Sequence, residues 1–171
     1  MLHRLSVFAL PLTLVALLLS VLAGCASNGV EVSTTYDPLA SFPAQASYAW
    51  DDRANKLPAD PRLAALDLDP LIKQAASEEL ALRGYHLATS GFPDYRLSYE
   101  LVVHTWIGPD HSLSVGSLSL LLVDADSGRR VWLGFARAEV HVGLTPAERE
   151  QRLRDAFARM LADFPPAQRG S

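Results

Sequence analysis

Cys25 is the only thiol in a chain of 171 residues, and it follows directly on Leu22-Ala23-Gly24. The chemistry offered is a nucleophilic sulfur beside small side chains, open to acylation and next to a backbone open to a peptidase. The other reactive residue types make weaker constellations. No Gly-x-Ser-x-Gly elbow is present to expose a serine, and Gly116-Ser117 falls inside a strand pattern. His86, His104, His111 and His141 are scattered, without the i, i+4 or short-loop spacing of a zinc site, so only cross-strand pairing would bring His104 near His141. Glu100 and Glu139 would work as a glycosidase pair only at a separation of about 5–10 Å. Asp124 and Asp126 beside Gly128 lack the rest of a calcium loop and are explained by a hairpin turn. The expectation is a protein without catalytic residues, metal or cofactor, and so not an enzyme.

The elements around Cys25 give the thiol its meaning. Arg4, the apolar run from Leu5 to Leu22 and the small pair Ala23-Gly24 have the order of a secretory signal. A run of about 18 residues also spans a bilayer, so an uncleaved transmembrane anchor is the alternative, which Pro11 weakens by interrupting the helix. Leu22-Ala23-Gly24-Cys25 resembles the bacterial lipobox. That resemblance implies diacylglycerol on the Cys25 thiol, cleavage between Gly24 and Cys25, and palmitate-like acyl chains as the membrane anchor. Two or three chains hold stably where one binds only marginally. Residues 1–24 are then a signal peptide and 25–29 a lipidated N-terminus with a short polar tether. Ala26 stands where lipoproteins retained at the inner membrane commonly carry aspartate. The expected location is the periplasmic face of the outer membrane, with the inner membrane as the alternative.

Losing residues 1–24 removes Arg4 and no acid, leaving 147 residues with 14 basic and 19 acidic side chains, net −5. Such a chain makes one domain with a sizeable core. Its mild acidity argues against nucleic acid as a partner and against a polybasic membrane-surface module.

Residues 30–166 read as that domain, and 167–171 as a tail. Val30, Val32, Thr34 and Tyr36 alternate with polar residues, as in a half-buried strand. Ser47 to Trp50 makes a second short strand, and 53–67 is a loop punctuated by proline and aspartate. Asp69-Pro70 predicts a helix start and Gly84 its left-handed close, with Ile72, Ala75, Ala76 and Leu80 on one face. Tyr85-His86-Leu87 begins a strand. Three long strands follow as an antiparallel meander: Asp94–Trp106, Leu113–Val123 and Arg130–Val142, with turns at 108–110 and 124–128. Thr145-Pro146-Ala147-Glu148 is a capping box. It opens a helix with an apolar stripe (Leu153, Phe157, Met160, Leu161) and acid-first pairs Glu148/Arg152, Glu150/Arg154 and Asp155/Arg159. Phe164-Pro165-Pro166 ends it. The fold expected is α+β: an antiparallel sheet of about five strands with two amphipathic helices packed on one face.

Tyr36-Asp37-Pro38, Phe42, Tyr48-Ala49-Trp50, Gly84-Tyr85, Pro93-Asp94, Leu118–Asp124 with Gly128, Val131-Trp132 and Phe164-Pro165-Pro166 occur in an order similar to a family of Gram-negative envelope lipoproteins carrying a domain of unknown function. The resemblance implies an exported α+β domain and no established activity.

Three functions follow. The first is a non-enzymatic envelope binding or structural protein, with an envelope protein or polymer as partner. Its candidate contact surface joins Trp106, Trp132, Arg96 and His104 on one sheet face, or uses the 53–67 loop. The second is an envelope hydrolase using acidic or histidine side chains. The third is a small-molecule or lipid carrier, which requires a cavity between the Leu118–Val123 strand and the helices.

Overall fold

The computed structural model describes residues 29–60, 63, 66–107, 112–141 and 143–166. The signal segment, Gly24, Cys25, His111, the turn at 108–110 and the tail at 167–171 lie outside the described residues. The elements run β1 (Glu31–Tyr36), β2 (Ala46–Trp50), α1 (Leu68–Ala81), β3 (Tyr85–Leu87), β4 (Tyr95–Ile107), β5 (Ser112–Asp124), β6 (Arg130–Glu139) and α2 (Pro146–Met160).

One six-stranded sheet has the order β1-β6-β5-β4-β2-β3. The meander β4-β5-β6 is antiparallel as its turns require, and β1 joins the free edge of β6 antiparallel, with Glu31 opposite Arg137. The sheet is mixed, however, because β2 pairs parallel with both β3 and β4. α1 lies between β2 and β3 in the chain, and a helical crossover returns the chain in the same direction where a hairpin would reverse it. The expected five antiparallel strands are therefore six in a mixed sheet, while the α+β layering stands.

Both helices cover the same sheet face. Leu97, Tyr99, Leu120, Leu122 and Trp132 project into a core with Ile72, Leu80, Phe157, Met160 and Leu161, all at most 3% exposed. Phe164 centres an aromatic cluster, 5.0 Å from the ring of Tyr85 and 5.2 Å from Trp132. Gly134 sits beneath Met160 and Trp132, where a Cβ would overlap both side chains.

Local chemistry explains both helix starts. In α2 the expected capping box is present: Glu148 N donates to Thr145 Oγ1 at 3.3 Å, and Thr145 N to Glu148 Oε2 at 2.8 Å. Glu148 is thereby committed to the cap, and its expected partner Arg152 instead donates to the Glu139 carbonyl at 3.1 Å. In α1 the cap position is Asp67, which makes no side-chain cap bond. Asp69, the cap expected from sequence, lies in the first turn and is held by the Tyr99 hydroxyl at 2.5 Å and Lys73 at 2.8 Å. Gly84 closes the helix at φ 84° as expected, with no room for a Cβ against the Ala44 carbonyl.

Candidate functional site

Element lengths create the site. β4 and β5 have 13 residues each, and at about 3.4 Å per residue they run roughly 44 Å. Helices of 14 and 15 residues, at 1.5 Å per residue, span only about 21–22 Å. The helices cannot cover the far half of the long hairpin, and a partly open cavity of about 440 Å3 remains there.

The lining is mainly aliphatic. The sheet supplies Leu101 and Val103 from β4, Gly116 and Leu118 from β5, and Ala136 and Ala138 from β6. Leu63, Leu66 and Leu68 close it from the loop and the start of α1, and Leu153 and Ala156 from α2. Small residues make the depth: Gly116, Ala136 and Ala138 leave space where leucines would fill it. Arg149, Arg152 and His141 add the polar edge. Arg149 donates to the Leu144 carbonyl at 3.0 Å and Arg152 to the Glu139 carbonyl, so each guanidinium is fixed by a neutral acceptor. Among the described residues neither has a carboxylate partner, and both keep donors for an incoming anion. Glu139 lends only its carbonyl to this edge, because its side chain alternates to the other sheet face.

The start of α1 is tied to the floor of this cavity. Burial pushes the Asp69 carboxyl up, but hydrogen bonds from Lys73 and Tyr99 outweigh it and hold the carboxyl below its usual value. The same contacts, with burial first, push the Tyr99 hydroxyl up. Lys73 also reaches Asp52 at 2.7 Å, linking helix and loop, and its pKa is raised by hydrogen bonds to Asp52 and Asp69.

The residues singled out by sequence separate. Arg96, His104 and Trp106 alternate onto the sheet face that no helix covers, strung along β4, and the His104 and Trp106 rings lie 6.0 Å apart. Trp132 does not join them: it pairs with Leu122 on the helix-covered face and is 3% exposed, a core residue. β5 intervenes between β4 and β6, so Glu100 and Glu139 do not stand on neighbouring strands. Their register is four residues out, with Glu100 opposite Ser119 and Glu139 opposite Val115. That puts them roughly 17 Å apart, from two strand spacings and four residues of rise. His141 edges the cavity while His104 lies on the opposite face. Asp124 Oδ1 accepts from Ser127 N at 2.8 Å and Ser127 Oγ at 2.5 Å, as turn chemistry requires, and these bonds hold its pKa down. Among the described residues no three His, Cys, Asp or Glu side chains gather as metal ligands, and no helix is long and apolar enough to cross a membrane.

A family model described as "Domain of unknown function (DUF4136)" matches residues 32–166. The chain belongs to the DUF4136 family. No curated protein matches it. Among solved structures, the DUF4136 chain is similar to the PelC dodecamer from Paraburkholderia phytofirmans, at 16% identity and TM-score 0.50, covering 78% of this chain and 95% of that one. It is also similar to lipoprotein GNA1162 from Neisseria meningitidis, at 17% identity and TM-score 0.42, covering 69% of this chain and 99% of that one. Identities this low speak to the fold alone.

Sequence reasoning located the strand and helices that a cavity would need but missed most of the lining. Leu120 and Leu122, from the strand expected to line it, are buried under the helices, and the space lies toward Leu118 and Gly116. The available signal was the mismatch between strand and helix lengths, together with Gly116, Ala136 and Ala138 at inward positions.

Proposed function

We propose that this chain is a lipid-anchored envelope protein that acts by binding, not catalysis, with the apolar cavity as its site. The ligand class is an anionic amphiphile: a hydrocarbon chain in the cavity and an acidic head at Arg149 and Arg152. The observation that carries the reading is the pairing of an aliphatic cavity of about 440 Å3 with two guanidiniums fixed by backbone carbonyls at its edge. Its size falls within the range of about 300–1,000 Å3 usual for ligand sites. A guanidinium stays charged at any ordinary pH, so it recognises an anion but does not exchange protons with a substrate.

The anchor rests on the lipobox resemblance at Cys25, and Ala26 favours the outer membrane over the inner. Purification from envelopes followed by extraction and lipid mass spectrometry tests the ligand. A single-chain or two-chain acidic amphiphile recovered in stoichiometric amount is expected. Its absence, or equal recovery from a variant with the cavity filled, would count against the reading. Cys25→Ala should release the protein from the membrane fraction, and full retention of that variant would remove the anchor from the account.

A further inference from the structure

The sheet registers fix where the tether leaves the domain. Glu31, the first residue of β1, stands in one row with Arg137, Ser117 and Val102 across four strands. β1 runs opposite to β4, so Glu31 and the described residues before it lie at the end of the sheet toward which β4 runs on from Val102. Trp106 lies four residues past the row, about 14 Å of strand. Cys25 lies six residues before Glu31, at most about 20 Å of extended chain. β1 therefore starts on the side toward which the hairpin extends, three strands or about 14 Å laterally from β4, and the tether is long enough for Cys25 to reach the level of Trp106.

The described residues that lead into the turn are apolar and exposed. Trp106 is 51% exposed, Ile107 87% and Leu113 39%, and Trp106 and Leu113 are direct cross-strand partners. From Val102 to Leu113 the chain has no lysine, arginine or glutamate, and Asp110 is its sole acid. Among the described residues β4 also has no strand neighbour on its β2 side beyond the Lys56–Glu100 bridge and the Leu101 amide bond to the Lys56 carbonyl. Proteins usually protect such an edge with charge or a cover, and among the described residues this one has neither.

We infer that the β4–β5 hairpin tip docks into the bilayer surface beside the lipid anchor, with Trp106, Ile107 and Leu113 entering the boundary between headgroups and acyl chains. The inference rests on Cys25 being lipidated. The tether is long enough for the acyl anchor to stand level with Trp106, and a tryptophan flanked by aliphatic side chains suits the interface, where the ring is half apolar and its N–H meets water. The docked domain would then hold its cavity close to the membrane, because Val30, Val103 and His141 belong to this same end.

The test uses full-length lipidated protein in vesicles of phosphatidylethanolamine and phosphatidylglycerol, with and without brominated acyl chains. Trp132 is buried, and Trp50 packs against Tyr48 and Tyr99 opposite Leu97, nine residues back along β4 from Trp106, so the expected result is bromine quenching of wild-type emission that disappears in Trp106→Phe. Ile107→Ser/Leu113→Ser, changed at exposed positions, should float with the vesicles while its quenching drops. Flotation and the intact mass are read in parallel. Protein that carries lipid and floats, yet shows no quenching difference between wild type and Trp106→Phe, overturns the docking but leaves the anchor standing. Protein without lipid on Cys25 overturns both. Tip emission that is blue-shifted but shielded from bromine overturns the docking in favour of a contact between copies of the chain.

Discussion

The Tyr99 hydroxyl donates to Asp69 Oδ1 at 2.5 Å, pinning the first turn of α1 to the middle of β4, two residues before Leu101 enters the cavity lining. Tyr99→Phe keeps the ring's packing and removes the bond. Hydrogen bonds to charged groups contribute about 1.5–3 kcal/mol, and the partial exposure of Asp69 puts this one at the low end, roughly 1–2 kcal/mol. Urea unfolding at neutral pH should show that loss, with an unchanged m-value.

The same pair sets a pH dependence. The folded Asp69 carboxyl lies below its unfolded value of about 3.9, so its contribution is present above that value and is lost as pH falls through the folded one. The stability gap between wild type and Tyr99→Phe should therefore be full at pH 7 and shrink below about pH 4. Parallel urea titrations at neutral and acid pH measure it, and a gap that widened on acidification would contradict the assignment.

Gly134→Ala puts a methyl where the Met160 and Trp132 side chains already are. Overpacking of this kind costs about 1–3 kcal/mol. Met160 is flexible and Trp132 is not, so Gly134→Ala/Met160→Ala should be less destabilised than the sum of its single variants. A thermal double-mutant cycle reads the coupling directly.

How much of this was legible in the sequence follows from what is local. Thr145 and Glu148 found each other because a capping box is written within four residues, and the β4-β5-β6 meander followed from its alternation and turns. The parallel setting of β2 was not visible, since nothing inside Ala46–Trp50 says which neighbour it will take. Trp132 was misplaced among surface candidates because a tryptophan beside Val131 gives no alternation, and its burial depends on Phe164, distant in sequence. The cavity was hidden for the same reason: Gly116 and Ala138 are unremarkable until β5 and β6 set them opposite each other. The four-residue spacing pairs Arg152 with Glu148, but the cap claims that carboxylate.

Those guanidiniums yield a prediction of their own. Arg149→Gln/Arg152→Gln should weaken binding of a long-chain carboxylate about 5–10-fold, roughly 1 kcal/mol, and leave the matching long-chain alcohol nearly unaffected. Raising the ionic strength should narrow the difference between the two ligands in wild type only. Equal weakening for both ligands would show that the arginines shape the cavity and do not read charge.

The central claim is that the cavity is a binding site, and Ala138 offers the most direct access to it. Ala138 lines the cavity opposite Gly116 and lies outside the helix-covered core, so Ala138→Phe should fill the space without unfolding the domain. The decisive measurement is fluorescence titration of the lipidated protein, solubilised in mild detergent, with cis-parinarate, alongside the melting temperature of each form. The account predicts saturable binding at one site per chain in wild type and its loss in a normally folded Ala138→Phe. Saturable binding that survives the substitution, or none in wild type, would contradict it.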